Sequence, residues 1–405
     1  MSWGWSKKTR YSPIAVDFGA DSLKLLQVVP SDPPQVVAAA SMDLPEHARL
    51  DPAPRGVFFR EALKDLVRDH AFKGRRAICS VPAYQTLVQH LQISRSGDQD
   101  NMEEQVHQHL RERLNVEPSR MVVRFFPVGQ VVRDGSAKQE VICLAVSREV
   151  AMGYIETAQH AKLSVVGMHS EPLAIMQAFS HLYRRASDTS RVVCYIDLGS
   201  ATTKVIVAHG MEMKFAKTIH YAGEHFTRYV AKIRGVPFSE ARLTRLQQAG
   251  AAAGNPPSRD GDKTVAAGSG RRSGEPAVRS GVSDLTSPVP DAGVAASAAA
   301  EASASVDLGE SLDCLLDELL LCVRYHQGTF PNQPIEKLVF LGGESRHAWI
   351  CQKIARSLRI GAQLGDPMAR LVRISPGQDL SGIDMREPQP GWAVPVGLCL
   401  SEANL

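Results

Sequence analysis

Long apolar runs, paired cysteines and blocks of one charge are all missing from this 405-residue sequence. No apolar stretch approaches the ~18 residues that a membrane-spanning helix needs, and the first residues, MSWGWSKKTRY, contain no apolar core of a signal peptide. Lys and Arg number 46 against 43 Asp and Glu, without clustering, so no nucleic-acid partner is expected. We therefore expect a soluble protein that stays inside the cell.

The seven cysteines form no C-x-x-C pair and mostly lie within apolar segments, which is typical of buried, reduced thiols in the cytosol. The 13 histidines are scattered, and the spacing of His107 and His109 places their rings on different faces of a helix. A metal site built from these residue types is therefore not expected. Trp3 and Trp5, beside basic residues, favour either a disordered tail or contact with a membrane surface.

Aromatic residues are absent from 249–305, where large aliphatic residues are also scarce. Such a composition cannot bury enough apolar surface to offset the entropy of ordering, so we predict a disordered insertion. Two helical patterns, SEARLTRLQQ and LDCLLDELLLCVRYH, flank the segment. The insertion is therefore expected to extend a loop inside one domain.

Elsewhere, short apolar segments alternate with amphipathic segments, which indicates an α/β architecture. Strands are predicted at 14–16, 23–29, 35–40, 76–81, 140–147, 192–197, 204–209 and 337–341. Helices are predicted at 55–70, 98–114, 148–161, 172–185, 223–232, 312–325 and 348–358.

One supersecondary unit occurs twice, as AVDFGADSLKLLQ and as YIDLGSATTKVIV. An aspartate, a glycine and a lysine recur at the same intervals in both copies: Asp17, Gly19, Lys24 and Asp197, Gly199, Lys204. Each copy predicts a β-hairpin with a polar tip. Glycine lets the backbone approach an anion, a strand-end Asp can hold a hydrated divalent cation, and Lys adds a charge that phosphate accepts. One copy alone is explained by an ordinary turn, whereas two copies with shared spacing predict a clamp around a triphosphate.

A third element, IEKLVFLGGESRHAWI, combines an apolar strand, two glycines and a helix. Glycines at this position leave room for a flat ring or a phosphate against the backbone. A plain strand-to-helix turn explains them equally well.

The hairpins DFGADSLK and DLGSATTK and the late LGGES resemble the phosphate-1, phosphate-2 and adenosine motifs of the actin/Hsp70/sugar-kinase ATPase superfamily. HSEPLAIMQAF resembles the helix that connects the two lobes of that fold. Longer segments are similar to the PilM family of type IV pilus assembly, itself related to FtsA: SVPAYQTLVQHLQI, NMEEQVHQHLRERLNVEP and KTIHYAGEHFTRYVAKIRGVPFSEARLTR. The resemblance covers nearly the whole chain apart from the insertion and the first ten residues.

The resemblance implies a bilobed actin-like ATPase fold of the ribonuclease H-like type, with a small subdomain inserted in the first lobe. The first-lobe core is expected at 11–93 and 167–189, and the inserted subdomain at 94–166. The second-lobe core is expected at 190–222 and 335–405. A nucleotide-side subdomain at 223–334 is expected to contain the insertion.

The resemblance also implies ATP, with Mg²⁺ or Mn²⁺, in the cleft between the lobes. The residues implied for the nucleotide are Asp17, Gly19, Ser22, Lys24, Gly199, Ser200, Thr202, Thr203, Gly223, Glu240, Arg242, Gly342 and Gly343. Asp17 and Asp197 are implied for the metal. The first loop departs from the family pattern, because Ala20 replaces a hydroxyl-bearing residue and Asp21 adds a negative charge. Either change predicts weaker nucleotide binding.

Hydrolysis would need a group that orients the attacking water. Glu171 is the candidate, because it belongs to the HSEPLAIMQAF segment that resembles the connecting helix. A structural role, in which Glu171 caps the helix that starts at Pro172 and holds the connection between the lobes, explains the same residue. We therefore expect at most weak ATPase activity.

The resemblance implies a cytoplasmic ATP-binding scaffold of a type IV pilus or type II secretion-like apparatus, peripheral to the inner membrane through its partners. The expected partner is a bitopic PilN-type protein, whose N-terminal peptide would bind in a groove beside 94–166. Self-association stays open. Two alternatives are a small-molecule kinase, for which no general-base Asp motif is found, and an FtsA-like division protein. The latter would end in an amphipathic helix, which GWAVPVGLCLSEANL does not supply.

Overall fold

The computed structural model describes residues 11–94, 99–133, 135–185, 188, 190–253, 282–284, 308–373, 380–381 and 383–405. The strands are β1 (Ile14–Phe18), β2 (Ser22–Val29), β3 (Gln35–Asp43), β4 (Arg76–Val81), β5 (Leu87–Ser94), β6 (Met121–Arg133), β7 (Ser136–Ser147), β8 (Ser164–Ser170), β9 (Val192–Leu198), β10 (Thr203–His209), β11 (Glu212–Ile219), β12 (Val282–Asp284), β13 (Lys337–Leu341), β14 (Ala362–Gly365) and β15 (Val372–Arg373). The helices are α1 (Glu46–Leu50), α2 (Pro52–Asp69), α3 (Gln99–Leu114), α4 (Arg148–His160), α5 (Glu171–Ala178), α6 (Gly223–Arg234), α7 (Phe238–Ala253), α8 (Gly309–Thr329), α9 (Ala348–Leu358) and α10 (Ala393–Cys399).

Two six-stranded sheets and one three-stranded sheet organise these elements. The first-lobe sheet has the order β15-β3-β2-β1-β4-β8, and the second-lobe sheet has the order β11-β10-β9-β13-β14-β12. The small sheet, β5-β7-β6, lies between β4 and β8 in the chain. In each large sheet an antiparallel hairpin is followed by a parallel strand, β4 beside β1 and β13 beside β9. The two lobes are therefore built on the same local plan.

The two hairpins have matching registers. Asp17 lies opposite Lys24 in the β1–β2 pair, and Asp197 lies opposite Lys204 in the β9–β10 pair. This confirms the repeat that the sequence predicts.

The strands β1 and β9 are buried along their whole length, since helices cover both faces of each sheet. The sequence of each strand is apolar apart from one charged residue, an aspartate. Asp17 and Asp197 both stand one residue before the end of their strand. The carboxylates therefore interrupt the apolar runs where the strands reach the cleft.

The lobes share a core where α5 crosses α10. A Cβ atom on Gly397 would lie 1.7 Å from the carbonyl oxygen of Ala174, so only glycine permits this crossing. One hydrophobic cluster contains Leu26 from the first-lobe sheet, Tyr195 from the second-lobe sheet and residues of both helices. The crossing thus joins the lobes at the base of the cleft.

All the predicted strands and helices are present, although one helix is shorter than expected and several elements were not predicted. The helix expected at 172–185 ends at Ala178, because Phe179 turns inward and stacks on Tyr195 at 5.3 Å between ring centroids. The long strand β6 was not predicted, since it contains Pro127, which marks a register shift in its pairing with β7. The strands β5, β8, β11, β14 and β15 and the short helices α1 and α10 were also not predicted.

Parts of the predicted insertion have regular structure. Helix α7 extends to Ala253, and Val282–Asp284 pairs antiparallel with β14. The prediction of disorder is wrong for these residues, while the rest of 249–305 lies outside the described residues. Six of the seven cysteines are buried, and all seven are free thiols, as predicted. Within the described part of the chain, no helix is long and apolar enough to cross a membrane.

Candidate functional site

A cavity of about 390 Å³ lies between the tips of the two hairpins. Residues of both lobes line it, including the hairpin turns, the start of α6, one face of α7 and the turn after β13. All but two of the predicted site residues lie in this lining: Asp17, Gly19, Ser22, Lys24, Glu171, Asp197, Gly199, Ser200, Thr202, Gly223, Arg242, Gly342 and Gly343. Segments that are far apart in the sequence thus meet at one cavity.

Thr203 and Glu240 do not line the cavity. Thr203 is fully buried, and its hydroxyl donates to the carbonyl oxygen of Tyr221 at 2.8 Å, which ties β10 to the loop before α6. Glu240 is exposed near the start of α7. Both sequence-based assignments therefore lack support from the geometry, and the contacts of Thr203 are structural.

A buried ion network occupies the floor of the cavity. Lys204 Nζ lies 2.7 Å from Glu171 Oε2 and 2.8 Å from Asp197 Oδ2. Burial alone would lower the pKa of Lys204, but the two carboxylates raise it, so the lysine is charged. Glu171 comes from the first lobe and Asp197 from the second. Lys204 therefore links the lobes electrostatically.

The contacts of Glu171 agree with one part of the structural expectation, the connection between the lobes, and not with helix capping. Its carboxylate binds Lys204 and stands at the first position of α5, so it joins the lobes rather than capping the helix. Burial, together with the nearby carboxylates of Asp17 and Asp197, raises the pKa of Glu171 against the opposing effect of Lys204. A carboxylate held in this way is poorly placed to orient water.

Ser80 fixes Asp17 at the end of β1. The Ser80 hydroxyl donates to Asp17 Oδ1 at 3.0 Å and accepts the backbone N–H of Phe18 at 3.2 Å. Burial raises the pKa of Asp17, which Lys24 and this hydrogen bond partly oppose. Sequence reasoning missed Ser80, although a serine inside the buried strand RAICSV was an available signal.

Asp21 does not leave an uncompensated negative charge in the first hairpin. Its carboxylate lies 2.7 Å from Arg49 Nε and 2.7 Å from a terminal nitrogen of Arg242 on α7. The expectation that Asp21 would repel phosphate is therefore weakened by two arginines. The Arg242 contact also bridges the mouth of the cleft between the lobes.

The turn after β13 requires glycine at position 342. Gly342 has φ 85°, and a Cβ atom there would lie 2.2 Å from the Leu198 carbonyl oxygen and 2.3 Å from Asp197 Oδ1. On the same side of the cavity, Arg245 pairs with Glu344 and donates to the Gly223 carbonyl oxygen at 2.9 Å. Sequence reasoning missed this buried arginine, because Leu243 and Leu246 on α7 are exposed and the apolar pattern therefore does not mark its inner face.

The carboxylates at the hairpin tips suit a divalent cation only if the ion stays hydrated. Among the described residues, no three His, Cys, Asp or Glu side chains are grouped to hold a metal ion. A hydrated Mg²⁺ needs few protein carboxylates, and Asp17 and Asp197 both face the cavity. A cation beside them would also favour the ionised form of Asp17, whose pKa is raised by burial. The pair fits an ion that keeps most of its waters.

Comparisons with known proteins find chains of similar structure. The solved structure of a PilM-PilN type IV pilus biogenesis complex is 18% identical, with a TM-score of 0.69 over 97% of this chain and 98% of that chain. The ethanolamine utilization protein EutJ from Carboxydothermus hydrogenoformans is 12% identical, with a TM-score of 0.48 over 97% and 90% of the two chains. MreB5 of Spiroplasma citri bound to ADP is 10% identical, with a TM-score of 0.45 over 96% and 95%. No curated protein matches the sequence.

The predicted fold is confirmed: the chain has a bilobed actin-like ATPase fold with a small inserted subdomain. The model of the family described as type IV pilus assembly protein PilM matches residues 15–251, more than half of the sequence. The chain therefore belongs to the PilM family of type IV pilus assembly proteins.

Proposed function

We propose that this chain is an ATP-binding scaffold in the assembly of a type IV pilus or a type II secretion-like apparatus. It acts in the cytoplasm and reaches the inner membrane through its partners. The observation that carries the proposal is the pair of equivalent hairpins facing one cavity, in a chain of the PilM family. Turn N–H groups and hydroxyls suit phosphate oxygens, and Lys24 adds a positive charge.

The described residues suggest how ATP with Mg²⁺ or Mn²⁺ is held. Asp17 and Asp197 bind the hydrated ion, the two hairpin tips bind the phosphates, and the Gly342–Gly343 turn leaves room for the adenosine. The ion neutralises phosphate charge when it is bound. Since Lys204 holds the carboxylate of Glu171, turnover is slow or negligible.

The proposed partner is a PilN-type membrane protein, which contributes an N-terminal peptide. A small apolar seam joins the first lobe to the inserted subdomain and consists of Val81, Val146 and Ala151 with the partly buried Val122, Val150 and Met168. Such a seam suits the apolar side chains of an extended peptide. Val81 follows Ser80, which binds Asp17, so β4 connects the seam to the cavity.

ATP binding is tested by titrating the full chain with a fluorescent ATP analogue in the presence of Mg²⁺. We expect Lys24→Met and Asp17→Asn to weaken binding at least tenfold, because each removes a group facing the phosphates or the ion. Asp65→Asn, a change at a half-buried surface carboxylate of α2 outside the cavity, is the matched control. Equal affinity in all these variants would rule out the hairpin cavity as the nucleotide site. ADP release that exceeds background in a metabolite panel would instead indicate a small-molecule kinase.

Partner binding is tested with a synthetic peptide from the N-terminus of the bitopic protein encoded beside this gene. We expect Val122→Glu to abolish binding without changing the thermal unfolding midpoint by more than a few degrees. We expect ATP to strengthen binding in the wild type and not in Asp197→Ala. Identical peptide affinity with and without ATP would refute the coupling but not the peptide site.

A further inference from the structure

A second cavity, of about 1020 Å³, lies away from the hairpin cleft between the inserted subdomain and the second lobe. One wall consists of β5 and the C-terminal half of α3. The opposite wall consists of β11 and α8. We call this space the β5–β11 groove.

Both strands of the groove are the outer strands of their sheets. In the described part of the chain β5 pairs with β7 alone and β11 pairs with β10 alone. The ring of His90 reaches across at one point, where its Nε2 lies 3.3 Å from the backbone nitrogen of Ala216 and 3.2 Å from its carbonyl oxygen. The backbone groups of Ala216 therefore point out of the second-lobe sheet toward β5.

The next outward-facing position along β11 is Thr218, because backbone groups alternate in direction along a strand. Thr218 lines the groove, and its hydroxyl is buried without a hydrogen-bond partner among the described residues. A buried hydroxyl of this kind normally has a partner. The edge of β11 beyond His90 therefore offers backbone and side-chain groups to an added extended chain.

The groove is cationic. Three basic side chains and three histidines line it: Arg113, Lys138, Lys217, His90, His109 and His220. Within the described ranges no Asp or Glu belongs to this lining. Lys217 pairs with Glu318 at 2.7 Å, whereas no described carboxylate pairs with Arg113 or Lys138. Two cations on the inserted subdomain are thus available to negative groups.

The floor of the groove is held rigidly. The buried carboxylate of Glu140 accepts a hydrogen bond from the Tyr325 hydroxyl and lies 3.2 Å from His90 Nδ1. Phe215 stacks on the ring of His90 at 4.8 Å between centroids. Burial alone would raise the pKa of Glu140, but its hydrogen bonds lower it, so the carboxylate stays charged. The groove is therefore formed before any partner arrives.

We propose that the β5–β11 groove docks an extended acidic segment of a partner protein. The segment adds to the edge of β11 and sets its carboxylates against Arg113 and Lys138. Strand addition supplies backbone hydrogen bonds, and the cations select the charge of the segment. A nucleic acid would satisfy the charges but would leave the strand edge unpaired. This surface is separate from the apolar seam proposed for the PilN-type peptide, so the two proposals stand independently.

The probe is a fluorescein-labelled nine-residue peptide of alternating Glu and Thr, and binding to the full chain is followed by fluorescence anisotropy. We expect the double variant Arg113→Glu with Lys138→Glu to weaken binding at least tenfold. The control is Arg111→Glu with Arg124→Glu, which makes the same charge change at two exposed sites of the inserted subdomain outside the groove. We expect less than a twofold effect from the control. Methylating alternate backbone nitrogens of the peptide is expected to abolish binding.

The proposal would be overturned by no binding at millimolar peptide, by equal loss in the groove and control variants, by no effect of backbone methylation, or by displacement of the peptide by oligo(dT). Displacement by the PilN-type peptide would show that the two surfaces are one, and it too overturns the inference. None of these results bears on ATP binding at the hairpins. Failure here is therefore distinguishable from failure of the proposed function.

Discussion

Replacing Lys204 by methionine removes the only cation that touches both Glu171 and Asp197 among the described residues. The side chain of Lys204 is 10% exposed, and those of the two acids are 7% exposed each. Removing one partner of a buried ion pair costs about 3–5 kcal/mol, because the remaining charge stays buried and unpaired. We expect a loss of this size in the free energy of unfolding at neutral pH.

The destabilisation caused by Lys204→Met is expected to become smaller as the pH falls. Burial raises the pKa of Glu171, and the opposing effect of Lys204 is absent in the variant, so the folded variant binds more protons at Glu171 than the unfolded chain does. Its free energy of unfolding then rises on acidification, by up to ~1.4 kcal/mol per pH unit for each proton taken up. The difference in free energy of unfolding between the wild type and the variant should therefore be smaller at pH 5 than at pH 8.

The assay is urea denaturation, followed by far-UV circular dichroism and tryptophan fluorescence with coincident transitions. Lys217→Met is the control. Lys217 also lies 2.7 Å from a carboxylate, that of Glu318, but these two side chains are 40% and 42% exposed. An exposed pair contributes about 0–1 kcal/mol. Adding Glu171→Gln and Asp197→Asn to Lys204→Met should recover part of the loss. If Lys204→Met costs no more than Lys217→Met, the buried network does not stabilise the fold as we infer.

Three further predictions concern stability. Asp21→Asn and Arg242→Ala should each lower the free energy of unfolding by about 0.5–1 kcal/mol, and a double-mutant cycle should give a coupling energy of that size. Additive effects would mean that this ion pair does not form in solution. Gly397→Ala should lower the free energy of unfolding by about 3 kcal/mol in thermal unfolding, since the added Cβ would overlap Ala174. Gly153→Ala should raise it by up to ~1 kcal/mol, because the added Cβ lies in open space and alanine favours the helix α4. Burial and the neighbouring His209 lower the pKa of His326 to about 4. The free energy of unfolding should therefore fall by roughly 3 kcal/mol as the pH drops from 7 to 4. A denaturation series should show a weaker pH dependence for His326→Phe.

Much of the fold follows from local sequence features. The alternation of apolar and amphipathic segments is enough to place most strands and helices, because burial imposes a period of two on a strand and 3.6 on a helix. Strand β6 escaped prediction because Pro127 breaks its pattern, and α5 ends early because Phe179 meets Tyr195, a contact with the other lobe. These errors share one cause, since tertiary packing overrode the local signal.

The two hairpins follow from local sequence, since Asp, Gly and Lys recur at equal spacing in two apolar segments and the two registers match. Which charges meet depends on tertiary packing. Ser80 fixes Asp17, Lys204 joins Glu171 to Asp197, and Arg242 reaches Asp21 over 221 positions of sequence. Such contacts depend on how the lobes pack around α5 and α10. No local pattern encodes that arrangement, because residues that are far apart in the chain can lie side by side in the fold.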